Sequence, residues 1–238
     1  VLRSVKYGET SLVVTLYTEL FGIQSYLVNG VRKAAGRSGG KANLFQPAAL
    51  LDLVVYHQEG RSLNRIKEFH WGHLYQHIFS DVTKNAVALF MVELLSHCLK
   101  QPEENTALFQ FTEDCLVQLD EAPPAITANL SLFFALHLTH FFGVSPRLTS
   151  LEGGIIYFDL IESVFSIAPP LHEQFIEGKR ARACADILRA RQPAELQEVR
   201  LNQEIRRQLL QTIERYYQLH IQDFRPLKTL PILAEVLS

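Results

Sequence analysis

Residues 30–47, GVRKAAGRSGGKANLFQP, hold four cations (Arg32, Lys33, Arg37 and Lys41), four glycines and no acid. Cations in such a run can neutralise phosphates, and glycines let a backbone come close to a ligand. The runs on either side, SYLVN and ALLDLVVY, read as strands, so the cations sit in a loop joining two strands. A second cluster, GKRARACADILRAR, puts Lys179, Arg180, Arg182, Arg189 and Arg191 on a segment of helical period. For both clusters the plain alternative is a solvated surface whose charges only maintain solubility.

Other chemistry is sparse. HWGHLYQH sets His73 and His77 at i, i+4 with His70 nearby, a spacing that can place two imidazoles on one helix face. No glutamate completes an H-E-x-x-H frame and no third ligand is in an obvious position, so surface or boundary histidines are expected. His137 and His140 lie in the most apolar segment and read as core or boundary residues. No G-x-S-x-G, P-loop, G-x-G-x-x-G or paired Cys-x-x-Cys occurs. The expectation is therefore no metal, no cofactor and no enzyme. Cys98, Cys115 and Cys184 are odd in number, far apart and in helix-like segments, which points to a reducing compartment without a disulfide framework.

The elements that must position these residues follow from periodicity. With 238 residues, 47% of them apolar and 20% charged, the chain suits one large or two small globular domains. No apolar run approaches the roughly 18 residues of a membrane span, and VLRSVKYGE opens as a strand rather than a secretion signal, so a cytoplasmic location is expected. From residue 1 to about 70 the pattern is β: VLRSVKY, TSLVVTLYT, GIQSYLVN, AALLDLVVYHQ and SLNRIKEFH, separated by glycine-containing turns. Five short strands before a run of helices fit a small barrel better than a βαβ unit. Tyr7, Tyr17, Phe21 and Tyr26 are possible stacking partners for bases, though alternation must send some of them inward.

From about residue 71 the period becomes helical. KNAVALFMVELLSHCLK places Val87, Phe90, Met91, Leu94, Leu95 and Cys98 on one stripe, and ANLSLFFALHLTHFFG reads as a buried central helix stopped at Gly143. GGIIYFDLIESVFSI reads as a small hairpin, with helices resuming at PPLHEQFIEG and ending in KTLPILAEVL. The expected fold is α+β: a five-stranded OB-fold barrel over 1–79, then a larger, mostly α-helical domain over 80–238 with a β-like insertion at about 147–168. Charge divides at the same place. Residues 1–80 carry nine Lys/Arg against five Asp/Glu, and the remainder 14 against 20. A basic part and an acidic part suggest different partners.

In order along the chain, VLRSVKYGETSLVVTLYTELFGIQSYLVNGVRK and LFQPAALLDLVVY resemble the N-terminal OB-fold of the RecO family of bacterial recombination mediators. The resemblance rests on a strand and a GE turn, a T…G pair (Thr18, Gly22), a G-x-R (Gly30, Arg32) opening a basic loop, and L-x-Q-P. It extends to the tail YYQLHIQDFRPLKTLPILAEVL, where Leu227 to Thr229 stand in place of the family's L-K-S. The resemblance implies binding of single- and double-stranded DNA, annealing of complementary strands, and loading of recombinase onto strands coated by single-strand-binding protein. It implies RecR, a ring-forming protein, as partner, with RecF in some bacteria, and work at the nucleoid without covalent chemistry. Arg32 matches the G-x-R position; Lys33, Arg37 and Lys41 follow by membership of the loop. Many family members bind a structural zinc through two Cys-x-x-Cys pairs after the central helix, but GVSPRLTSLEGGIIYFDLIESVF contains no cysteine. An OB-fold protein-interaction module that binds no DNA is the alternative reading, and an enzyme with a scattered site is a further one.

Overall fold

A computed structural model describes residues 1–32, 41–148 and 154–237. Contacts divide the chain into two compact units, Val1–His77 with Leu99–Val117, and Ile78–Cys98 with Gln118–Ser238.

In the first unit, β1 (Arg3–Tyr7), β2 (Ser11–Thr18), β3 (Gly22–Val28), β4 (Leu50–Tyr56) and β5 (Asn64–His73) form one sheet in the order β1-β2-β3-β5-β4. All neighbours are antiparallel except β3 and β5, which pair in parallel. This is the strand order of an OB-fold. The sheet is not closed; its seam is bridged where the Val1 nitrogen donates to the Ala49 carbonyl (2.8 Å) and the Ala48 N–H donates to the Val1 carbonyl (2.9 Å). Alternation sends Leu12, Val14, Leu16, Tyr26 and Val28 inward to a core that Val31 and Phe45 join. Val31 and Phe45 stand on either side of the glycine-rich stretch, so both flanks of the basic loop are pinned by apolar burial.

The second unit is built on α3 (Pro124–Leu138), which starts with proline in its first turn and is buried along most of its length. It packs against α1 (Val82–Cys98), α4 (Gly178–Arg189) and α5 (Gln203–His220). Asn129 is satisfied within this core, its Nδ2 donating to the Val199 carbonyl (2.8 Å) and its Oδ1 accepting from Arg206 Nε (3.3 Å). Tyr217 donates its hydroxyl to the Ala135 carbonyl at 2.7 Å. Val87, Phe90, Met91, Leu94, Leu95 and Cys98 are all buried on α1, as their stripe requires. Gly143 takes φ +72° and ends the central helix. Cys98, Cys115 and Cys184 are buried and in no disulfide, and burial pushes the Cys115 and Cys184 thiols well up.

Three expectations need correction. Counting its 3-10 extension, Pro124–Phe142 is 19 residues and apolar enough to span a membrane by composition, but 67% of it is buried inside the protein, as suits a core helix. PPLHEQFIEG is not helical: Phe175–Glu177 is a strand, β8, and α4 begins only at Gly178. With β6 (Tyr157–Asp159) and β7 (Val164–Ser166), the expected hairpin, β8 makes a sheet in the order β7-β6-β8. The cause is a polar staple. Asp159 accepts N–H bonds from Ile161 and Glu162 at 2.9 Å and contacts His172 Nε2 at 3.1 Å, holding the chain extended. Finally, His70 and His73 lie in β5 and His77 in a bend beyond it, so the helical i, i+4 geometry of His73 and His77 does not arise.

A carboxylate clasps the chain's last helix, α6 (Thr229–Val236). Glu93 of α1 accepts from Lys228 N (3.0 Å), Thr229 N (2.8 Å) and Thr229 Oγ1 (2.6 Å), which gives the L-K-T motif a structural role. Burial pushes the Glu93 carboxyl up, but these donors and His97 outweigh it, and its pKa falls below the usual glutamate value. Glu93→Ala strands the donors and should cost about 2–3 kcal/mol in denaturant unfolding at neutral pH. A depressed folded-state pKa means stability that is present above the unfolded value of about 4.3 and lost as pH falls through the folded one. The gap between wild type and variant should therefore close on acidification below that value. A gap independent of pH would contradict the clasp.

Candidate nucleic-acid interface

The basic loop is tied to the β1–β2 turn at its first charged residue. Arg32 donates its N–H to the Thr10 carbonyl (3.0 Å) and its Nη1 to the Gly8 carbonyl (3.1 Å). Nearby, Ser11 Oγ donates to Asn29 Oδ1 (3.2 Å). The G-x-R motif thus joins two turns of the barrel, with Gly8 and Gly30 both at positive φ, where glycine is favoured. A guanidinium has five donors, so one bond to a carbonyl leaves others for a ligand. Lys41 is exposed at the start of a 3-10 turn, Lys41–Phe45. Lys33 and Arg37 lie outside the described residues.

Of the four aromatics considered for stacking, Tyr7 is 57% exposed, one residue from the carbonyl that Arg32 holds. Tyr26 is wholly buried in the barrel core. Tyr17 is buried too; its hydroxyl donates to the Asn105 carbonyl (3.1 Å), its ring lies 6.0 Å from Phe109, and burial pushes its phenol up to about 12. Phe21 stacks on the His57 ring, with centroids 3.8 Å apart and planes 10° from parallel. That pair walls a cleft of about 620 Å³ beside the outer side of β2 and β3, where Thr15, Ile23 and Ser25 face the β4–β5 turn and Arg61. In OB-folds this side of the barrel is where extended ligands lie.

The outer face of the sheet supplies residues that local sequence did not single out. Tyr56 is 61% exposed on β4, with Arg65 of β5 as its cross-strand partner. Arg65 and Lys67 are exposed beside it, and Lys67 is paired with Glu68 at 3.0 Å. A signal for Tyr56 was present in LLDLVVY: Asp52 must face water, and period-2 alternation carries Val54 and Tyr56 to the same side.

The second basic cluster is partly assembled. Lys179, Arg182 and Arg189 line a groove of about 650 Å³ that Arg200 joins, over an apolar floor including Val199, Leu201 and Ile205. Arg180 and Arg191 are not among its lining residues. Arg189 is paired with Asp186 at 2.8 Å, and Glu195 and Glu198 share the groove, so its net positive charge is small. The Arg191 N–H donates to Glu195 Oε2 at 3.1 Å.

A family zinc does not fit this chain. No cysteine lies between Cys115 and Cys184. The insertion is closed instead by the Asp159–His172 staple and by the Phe158 and Phe165 rings, stacked 4.4 Å apart. Among the described residues no three His, Cys, Asp or Glu side chains converge as metal ligands.

Comparison with known proteins adds a different kind of observation. The family model described as "Recombination protein O N terminal" matches residues 1–75, and the one described as "Recombination protein O C terminal" matches residues 79–153. The chain is 34% identical over 237 residues to a DNA repair protein RecO of Bacteroides fragilis, covering 99% of this chain and 96% of that protein. A DNA repair protein RecO of Christiangramia forsetii is 31% identical with the same coverage. One from Porphyromonas gingivalis is 30% identical, covering 98% and 95%.

Proposed function

The chain belongs to the RecO family, whose members act in DNA repair and recombination, and from that premise we propose that it is a DNA-binding recombination mediator. It binds single- and double-stranded DNA through the first unit, anneals complementary strands, and helps load recombinase onto strands coated by single-strand-binding protein. The work is strand handling without covalent chemistry, carried out in the cytoplasm at the nucleoid. RecR, with RecF in some bacteria, and single-strand-binding protein are the partners that family membership brings to the reading. The second unit, with its excess of acids, serves mainly as scaffold and protein-docking surface, and the α4 cations make a secondary contact with the DNA backbone.

One observation carries the reading: Arg32 is anchored at the junction of the basic loop and the β1–β2 turn, beside exposed Tyr7. A cation able to meet phosphate and an aromatic able to meet a base thus stand at the same turn of the sheet, which supports the reading. A titration of labelled single-stranded and duplex DNA against the full chain over a range of salt tests it. Log affinity should fall linearly with log salt on both, with little dependence on sequence. An OB-fold module that docks only proteins would show no such binding, and that result would overturn the mediator reading.

A further inference from the structure

The two edge strands of the barrel carry the same device. On β1, Val5 and Tyr7 are 44% and 57% exposed; on β4, Val54 and Tyr56 are 45% and 61% exposed. Each pair is at i, i+2 and so shares one face of its strand. Edge strands are ordinarily blunted by charge, because an exposed apolar edge invites association. Two such pairs on the two edges of one sheet therefore point to a ligand.

Register joins them. Val5 pairs with Val13, Val13 with Leu27, Leu27 with Arg65, and Arg65 with Tyr56, so one row crosses all five strands. The neighbouring row, Ser4–Val14–Tyr26–Asn64, holds the buried Val14, Tyr26 and Asn64, so the Val5–Tyr56 row lies on the outer face. At about 4.8 Å per strand the row runs roughly 19 Å along the sheet, room for a few nucleotides, the lower end of what one OB-fold holds. A cation frames the Tyr56 end: the exposed Arg65 is its cross-strand partner, and Lys67 follows two residues along β5. Of the acids beside them, Glu68 is paired with Lys67 at 3.0 Å, and Asp52 lies 3.4 Å from His70 Nε2.

Resting on the DNA-binding reading above, we propose that Tyr56 is a base-stacking position for single-stranded DNA, with Arg65 holding the adjoining phosphate, so that the strand crosses the outer sheet from Tyr7 to Tyr56. The ligand is an unpaired nucleobase, of any identity, since every base has a face to stack. A duplex has no free base to offer, so this position discriminates single strands from duplex. The basic loop, which meets only phosphates, does not.

The test uses the full chain with three probes: a labelled thymidine oligonucleotide, the same oligonucleotide made abasic, and a duplex. Tyr56→Ala should bind the thymidine oligonucleotide about 5- to 150-fold more weakly, with an unchanged salt slope, and should match wild type on the abasic strand and the duplex. Tyr56→Phe should keep the affinity, because the ring stacks without its hydroxyl. Arg65→Ala should lower the salt slope on single strands by about 0.7. Tyr56 is exposed on an edge, so its melting temperature serves as a folding control; the wild-type preference for the base-bearing over the abasic strand stands apart from any variant. Wild-type DNA binding with Tyr56→Ala equal to wild type, or equally weakened on all three probes, would overturn the stacking role and leave the mediator reading intact. Absence of DNA binding by wild type would overturn both.

Discussion

Replacing Arg32, Lys33, Arg37 and Lys41 together with Ala should lower the slope of log affinity against log salt by about 2.8 on single strands and about 3.6 on duplex. Each phosphate contact releases about 0.7 counterion from a single strand and about 0.9 from duplex, and four cations are removed. At low salt the loss of affinity should reach orders of magnitude. It should be nearly equal for every sequence, since phosphate contacts carry no base information. Arg32 also holds the Gly8 carbonyl at 3.1 Å, so the variant loses one exposed hydrogen bond, worth about 1 kcal/mol to folding. Arg32→Lys separates the two roles, because it keeps a charge at the phosphate while giving up the guanidinium fork. A folded quadruple variant with the wild-type slope on both substrates would end the phosphate-gripping role. Lost partner binding with DNA affinity intact would favour the protein-docking module.

Gly22→Ala should be far more damaging than an alanine at a turn glycine with open space around it. Gly22 opens β3 at φ +59°, where L side chains are strained, and an added Cβ would collide with the Glu103 carbonyl oxygen and lie 2.7 Å from the Glu103 nitrogen. Both obstacles are backbone, so no rotamer change relieves them. A cost above about 3 kcal/mol is expected, against about 1–2 kcal/mol at Gly60, which has φ +73° but open space around it. Thr18 explains why the motif pairs it with Gly22. Its hydroxyl donates to the Gly22 carbonyl (3.0 Å) and accepts from the Phe21 N–H (3.1 Å), closing the β2–β3 turn. Denaturant unfolding of the two alanine variants makes the comparison, and equal losses at the two glycines would show that backbone conformation, not the approach of Glu103, sets the requirement.

Much of this molecule is legible in the order of its residues. Alternation in SLVVTLYT and LLDLVVY yields strands, glycines mark the turns, and the stripe from Val87 to Cys98 yields a buried helix face. These are local properties, fixed by the 2.0 and 3.6 periods of the backbone. The basic loop is legible for the same reason, since charge and glycine content need no fold to be read. Residue chemistry within about one turn is what a sequence determines alone.

Partners distant in the chain were decided elsewhere. PPLHEQFIEG has helical composition, but pairing of Phe175 with Asp159 and the His172 staple draw it into a sheet. Tyr7 and Tyr17 look alike as aromatics in strands, yet one meets water and the other meets Asn105, because residues 99–117 belong to the same compact unit as the sheet. The row from Val5 to Tyr56 exists only because β3 and β5 pair in parallel at Tyr26 and Asn64, a register that no local pattern encodes. Period tells which residues share a face, and burial of that face against distant segments tells what the face is for. Sequence by itself therefore determined the elements, the charge and the family motifs, while the tertiary structure decided which side chains were spent on the core and which were left to meet a ligand.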